Sequence, residues 1–253
     1  MKTIAVVQRK GGNGKSTSCL NLARCLSLKG KRVLIVDLDD QKNSTQSIPF
    51  ENKTAHTVDE VLVNDKLSVK DAVTAASWNG VKVIAESPNL SGVIRELDGE
   101  VGSHLVLKEK LDEVKADFDF CLIDTSPSLN ILTINALCAS DSVLITADTG
   151  VFAVVGIGEL LKTVQKIKKR VNPKLKVQGI LLTMCDNRTN LSKLLTQQVE
   201  EMYQGKIAVF KTKIPKTVKV GEAIYSGQSI KKYAKGSSVD IAYDNLAKEI
   251  CYE

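Results

Sequence analysis

An α/β fold, with a mostly parallel twisted sheet flanked by helices on both faces, is the class this 253-residue chain predicts. Three observations carry it. Apolar runs such as Ile4-Ala5-Val6-Val7, Val33-Leu34-Ile35-Val36 and Cys121-Leu122-Ile123 are near-continuous rather than alternating, as strands buried on both faces are. Amphipathic stretches alternate with these runs, the βαβ signature of a parallel sheet. The first run leads into a glycine-rich turn and two later ones end in carboxylates. Polar groups therefore gather at the carboxyl ends of the strands, where ligands bind such sheets.

In chain order, the first strand is expected near 3–8 and its helix near 15–29, with the glycines between them. A second strand near 32–37 ends in Asp37-Leu38-Asp39-Asp40-Gln41. The mostly polar stretch from Asn43 to Lys53 reads as loop, a surface linker or equally a nucleotide-sensing switch. Helices near 58–64 and 68–76 lead to a strand near 81–85, and a helix near 104–116 leads to a strand near 119–124 that runs out in Asp124-Thr125-Ser126-Pro127. Helices near 129–139, 157–170, 190–203, 218–225 and 238–251 then alternate with strands near 142–147, 177–183 and 208–214. One domain accounts for the length, and 43% hydrophobic residues suffice for a large core.

The turn itself reads Arg9-Lys10-Gly11-Gly12-Asn13-Gly14-Lys15-Ser16-Thr17. Its glycines let backbone N–H groups crowd round anionic oxygens, and the helix that follows points its positive end at the same place. Lys15 is placed to reach β- and γ-phosphates and the Ser16 hydroxyl to hold Mg²⁺. The pattern G-x-x-x-x-G-K-[ST] is not met in full, because Arg9 stands at its first glycine; instead a second lysine, Lys10, heads the loop. Asp37, Asp39 and Asp124, as strand-end carboxylates, converge on the same edge. A carboxylate there can bind Mg²⁺ through water or orient a nucleophilic water for in-line attack on a γ-phosphate.

Composition excludes several classes. No apolar run approaches the length of a membrane span and no leader precedes the first strand, so a cytoplasmic protein is expected. The six cysteines are scattered without a C-x-x-C pair, which argues against a structural zinc or iron–sulfur site, and His56 and His104 are isolated. Charge is uneven: residues 159–253 hold 18 Lys/Arg against 9 Asp/Glu, whereas residues 1–158 hold 17 against 20. A basic C-terminal half suits a phosphate backbone, with Arg188, Lys193, Lys211, Lys213, Lys216, Lys219, Lys231, Lys232 and Lys235 as candidate contacts. The run Lys166-Ile167-Lys168-Lys169-Arg170 is read as a helix end that favours cations through its dipole.

Taken together, Lys10 to Thr17, Asp37-Leu38-Asp39-x-Gln41, Ile123-Asp124-x-x-Pro127-Ser128-Leu129, Leu132 to Leu137 and Ile214-Pro215-x-x-Val218-x-x-x-Glu222-Ala223 resemble the ParA-type, Soj-like partition ATPases. These belong to the deviant Walker family that also holds MinD-like proteins, and the motifs cover nearly the whole chain. The resemblance implies one P-loop ATPase domain over 1–253, with no helix-turn-helix before its first strand. It implies nucleotide binding by Lys10, Gly11, Gly12, Asn13, Gly14, Lys15, Ser16, Thr17 and Pro215, with Lys10 reaching across a sandwich homodimer to the partner's phosphates. It further implies Mg²⁺ at Ser16, Asp39 and Asp124, and catalysis by Lys10, Lys15 and Asp39, the last positioning the hydrolytic water. Arg188, Lys216 and Lys219 fall where the family's DNA-touching residues lie. Asp40 and Lys42 depart from the family, which has proline and glycine there.

Three function classes follow. One is a partition ATPase whose ATP-bound dimer grips nonspecific double-stranded DNA, associates with the nucleoid and is released by a ParB-like adaptor that stimulates slow hydrolysis. The second is a MinD-like ATPase cycling on membranes; the acidic tail, Asp240 to Glu253, lacks the basic polar face this needs and is expected to pack on the domain. The third is a metabolic P-loop enzyme, for which no second substrate constellation is recognisable. The first accounts for most of the residues.

Overall fold

The computed structural model describes residues 1–39, 56–86, 89–150 and 153–252. Asp40, Gln41, Lys42 and the Asn43–Lys53 stretch, on which expectations were placed, lie outside the described residues. Among the described residues seven strands form one sheet: β1 (Lys2–Val7), β2 (Val33–Leu38), β3 (Val73–Ala75), β4 (Val81–Ile84), β5 (Phe120–Thr125), β6 (Ser142–Asp148) and β7 (Lys176–Thr183), in the order β3-β4-β2-β5-β1-β6-β7. All neighbours are parallel except β3 with β4.

The helices are α1 (Lys15–Leu28), α2 (Val58–Val63), α3 (Leu90–Leu97), α4 (Val106–Asp112), α5 (Ile131–Ala139), α6 (Ala153–Arg170), α7 (Asn190–Tyr203), α8 (Lys219–Tyr225), α9 (Ile230–Tyr233) and α10 (Ser238–Tyr252). Every residue of β2 and β5 is buried, so each strand supplies both layers. Leu34, Val36 and Leu38 face the core made with α2 to α7, while Val33 and Ile35 face the one made with α1 and α8 to α10. Helices thus cover both faces, as continuous apolar strands require.

Register decides what sits at the carboxyl edge. Val6 lies beside Asp124 and Asp37 beside Asp124, so the β1, β5 and β2 ends are level. The chain leaves β1 in the interior of the sheet, between β5 and β6, and the phosphate loop therefore opens between two neighbouring strand ends.

Four elements differ from expectation. The stretch 68–76 is a short 3₁₀ turn, Val69–Ala72, capped by Ser68 and running into β3. Val73 and Thr74 are β-branched, and Gly80 at φ 81° turns the chain so that β3 pairs antiparallel with β4. The segment 208–214 lies along β7 through an isolated bridge at Val209, with a second just beyond it at Pro215, rather than forming a strand. Helices α3 and α9 were not anticipated, although Leu90, Val93, Ile94 and Leu97 have helical spacing. Helix α10 buries Val239, Tyr243, Leu246 and Ile250 in the core it shares with α1, so the tail packs on the domain as expected.

Candidate functional site

Gly12 and Gly14 in the β1–α1 loop adopt φ 83° and 73°, left-handed values that glycine tolerates and most other residues do not. Gly14 is the N-cap of α1 and offers no side-chain oxygen to its first turn, so those N–H groups are left facing the loop. The loop is braced from β7: the Thr183 hydroxyl donates to the Asn13 carbonyl at 2.7 Å. Gly11 to Thr17 wall a cleft of about 310 Å³ with Asp39 opposite. A cradle of free N–H groups at a helix start is an anion site.

Within it, Lys15 Nζ donates to Asp124 at 2.6 Å and Asp39 at 3.0 Å, with the Ser16 hydroxyl 3.5 Å away. The Lys15 and Asp39 side chains are 3% exposed and that of Asp124 is not exposed at all. Burial works against the ammonium charge, but the Asp124 and Asp39 carboxylates outweigh it and hold the Lys15 pKa above its ordinary value. Asp37, fully buried, accepts the Asp39 N–H at 3.0 Å and so fixes the turn that carries Asp39 inward. Ser16, Asp39 and Asp124 offer hard oxygen ligands beside the phosphate cradle. Mg²⁺ takes such sets, one or two carboxylates completed by substrate phosphates and water. Among the described residues no group of three or more His, Cys, Asp or Glu forms a metal cage.

Lys10 is not part of this cluster. Its side chain is 63% exposed and turns toward the end of β6, where Nζ meets Asp148 at 3.2 Å. The Gln8 amide donates to the Lys10 carbonyl and accepts from Thr146 Oγ1 at 2.8 Å, so the loop base is held while the lysine head is not. Asp148 escaped the sequence reading. It is a strand-end carboxylate like the three that were found, one residue beyond the strand expected at 142–147.

On the other flank Pro215, Thr17, Met184 and Tyr243 wall an adjoining cavity of about 240 Å³. Met184, at φ 53°, is the one described non-glycine residue with a positive φ. Lys216 shares that wall, and its N–H donates to the Cys185 carbonyl at 3.0 Å, which ties its segment to the loop bearing Arg188. The Arg188 guanidinium grips Asp186 at 2.9 and 2.8 Å and holds that carboxyl well below the usual carboxylate range. Lys216 and Lys219 are exposed, the latter opening α8. Two wider candidates are engaged elsewhere: Lys213 pairs with Glu200 at 2.6 Å, and Lys231 with Asp240 at 3.3 Å and with Asp244. Five of the six cysteines are buried, and burial pushes the Cys25 thiol, for one, up to about 12, which disfavours the thiolate a nucleophile or metal ligand needs.

A family model described as an AAA domain matches residues 1–177. The chain is 40% identical to the sporulation initiation inhibitor protein Soj of Bacillus subtilis, over 98% of either chain. It is 38% identical to the chromosome-partitioning ATPase Soj of Treponema pallidum, over 98% of this chain and 96% of that one. Among solved structures, cobyrinic acid a,c-diamide synthase from Mycobacterium smegmatis with bound ADP and magnesium is similar at a TM-score of 0.84 and 29% identity, covering 99% of this chain and 94% of that one.

Proposed function

The chain belongs to the Soj/ParA family of chromosome-partitioning ATPases, and from that premise we propose that it is an ATP-switched clamp on DNA. ATP closes two copies into a sandwich dimer, the joined basic faces hold duplex DNA without reading sequence, and a ParB-like adaptor stimulates slow hydrolysis and release. The protein then works in the cytoplasm, on the nucleoid while ATP is bound.

The observation that carries this reading is the placement of Lys15 between Asp39 and Asp124. A triphosphate entering the cleft gives Lys15 phosphate oxygens in place of its two carboxylates, and a charge that stays paired throughout never bears the cost of standing alone. Asp39 and Asp124 are thereby released. Mg²⁺, when bound, neutralises charge on the β- and γ-oxygens, and Ser16, Asp39 and Asp124 are the residues that would hold it. Asp39, in the wall of the cleft, also orients the attacking water. Pro215, Met184 and Tyr243 supply an apolar wall for the base. Lys10 leaves Asp148 and crosses to the partner's phosphates. Arg188, Lys216 and Lys219 are our candidates for the DNA contacts, and lysine at two of these positions suits phosphate attraction without bidentate base reading.

The alternatives draw less support. A membrane-cycling role needs an apolar face to insert, and the apolar face of α10 is spent on the core shared with α1. Among the described residues no helix is long and apolar enough to cross a membrane. The amidating enzyme among the structural neighbours is 29% identical, against 40% and 38% for the two Soj proteins.

Asp39→Ala tests the assignment. We expect ATP binding and dimerisation to persist while adaptor-stimulated phosphate release falls at least about 100-fold, leaving the dimer trapped on DNA. Unchanged stimulated turnover would move the water-positioning role to another carboxylate.

A further inference from the structure

We propose that the segment from Thr183, at the end of β7, to Ser192, in the first turn of α7, is the link through which an occupied nucleotide site positions the DNA-contacting cations. Thr183 and Ser192 are its positioning residues. In the clamp proposed above, on which this link depends, a change at the phosphate loop has to reach Arg188 and Lys216.

Two inputs enter the segment. The Thr183 side chain is buried, and its hydroxyl, which donates to the Asn13 carbonyl at 2.7 Å, also lies 3.1 Å from the Ala147 carbonyl of β6. The Asn13–Gly14 peptide is trans, so that carbonyl and the Gly14 N–H point in opposite directions. Thr183 holds one side of the peptide plane and a phosphate in the cradle takes the other. A pull on the N–H turns the plane and is felt at Thr183. The second input comes from β6: Thr149 follows Asp148, the present partner of Lys10, and its Oγ1 lies 3.0 Å from Ser192 Oγ. Departure of Lys10 to the partner subunit therefore reaches Ser192.

The output is fixed as closely. Met184, directly after Thr183, has φ 53°, a conformation that L side chains rarely adopt and that persists only where the surroundings impose it. Both of its neighbours are pinned here. Cys185 donates its N–H to the Ile214 carbonyl and accepts the Lys216 N–H, each at 3.0 Å. The Asp186 N–H donates to Ser192 Oγ at 3.1 Å, and the Asp186 carboxylate grips Arg188. Arg188 is the main influence holding that carboxyl down and Lys216 a weaker one, so both cations stand near one carboxylate. Movement at Thr183 thus passes to the backbone of Lys216 and to the group that holds Arg188. An exposed ion pair is readily exchanged, and the Arg188 side chain is 86% exposed, so a small displacement of Asp186 suffices to turn the guanidinium toward a phosphate. By contrast the Lys219 N–H bonds within its own segment, to Thr217 Oγ1 at 3.3 Å, which leaves Lys219 outside the link.

A ligand shifts an equilibrium only by its differential affinity for the two states, and the resulting coupling is reciprocal. The test measures it from both ends. Anisotropy of a labelled duplex of arbitrary sequence gives the affinity ratio between a nonhydrolysable ATP analogue and ADP, at analogue concentrations that keep each variant dimeric by size-exclusion chromatography. Amide hydrogen exchange at Asp186 and Lys216 is read with and without the analogue. Thr183→Val removes the hydroxyl and keeps the shape; Thr183→Ser keeps the hydroxyl. Ser192→Ala breaks the far end, and because Ser192 lines neither the cleft nor the base cavity it decides the matter should Thr183→Val fail to bind nucleotide.

We expect Thr183→Val and Ser192→Ala to lower the affinity ratio at least about 5-fold, the lower end of couplings between sites, and Thr183→Ser to retain it. The duplex should tighten analogue binding by the same factor in wild type, and the two variants should lose that factor equally. A brace that is merely structural would speed exchange with and without the analogue alike; the link requires the difference between the two to vanish. A wild-type ratio in Ser192→Ala, or an exchange difference that survives it, overturns the link while leaving the clamp intact. Wild type that binds the duplex equally with either nucleotide refutes the clamp itself, and the link with it.

Discussion

Lys15 and Lys10 leave one loop in opposite directions. The first is 3% exposed between two carboxylates at 2.6 and 3.0 Å; the second is 63% exposed beside one carboxylate at 3.2 Å. Leaving a buried charge unpaired costs about 3–5 kcal/mol, so Lys15 can only exchange partners in place. An exposed pair is worth about 0–1 kcal/mol, so Lys10 can leave Asp148 with little loss. In the clamp proposed above, a site that binds nucleotide within one subunit and signals it to another uses both kinds of lysine. Their burial suits each to its proposed role.

The strongest break in that comparison is Lys15→Ala. It leaves Asp39 and Asp124 facing each other without their cation, and the phosphates without a charged donor worth about 1.5–3 kcal/mol. We expect no measurable binding of a fluorescent ATP analogue and a lower melting temperature by scanning calorimetry; wild-type affinity would remove Lys15 from the site. Lys10→Ala should separate the two lysines cleanly. ATP affinity and melting temperature stay near wild type, while the ATP-dependent dimer disappears from size-exclusion chromatography. A surviving dimer would reduce Lys10 to a loop residue.

Finer changes sharpen the contrast. Asp148→Asn frees Lys10 in both copies, and two pairs of ~0.2–1 kcal/mol correspond to dimerisation at about 2- to 30-fold lower protein concentration, read by analytical ultracentrifugation. The smallest effect is expected at Asp186→Asn, which releases the Arg188 guanidinium that Asp186 now holds. One further free cation should steepen the salt dependence of DNA binding with ATP by about 0.9 in the log–log slope. No change in slope would mean that Arg188 does not meet the duplex.

Much of this was legible in the chain. Fully buried parallel strands and a glycine-rich turn leave clear traces because each is written in contiguous residues, and strand-end aspartates follow once the strands are known. Partner choice is harder to see. Nothing near Lys10 in sequence announces Asp148, 138 residues away, and nothing in the Arg188 segment says that its charge is already taken by Asp186. Charge counts treated Lys213 and Lys231 as available when Glu200 and Asp244 neutralise them. The errors in the fold are of another kind. A 3₁₀ turn followed by three strand residues at 69–75 is too short for periodicity to register, and the hairpin signal Asn79-Gly80 lay just beyond it.

Both margins of the sheet are closed to strangers. On one side β3 is three residues long and antiparallel. On the other, the segment 208–216 occupies the outward backbone groups of β7 and its extension, with Ile180, Leu182 and Cys185 all bonded to it. That cover fits because residue 179 is glycine: a Cβ there would stand 2.7 Å from the Phe210 ring. Exposed strand edges template aggregation. By letting that cover seat, Gly179 keeps the β7 edge paired, and a larger residue there should reveal itself in turbidity on storage before it reveals itself in turnover.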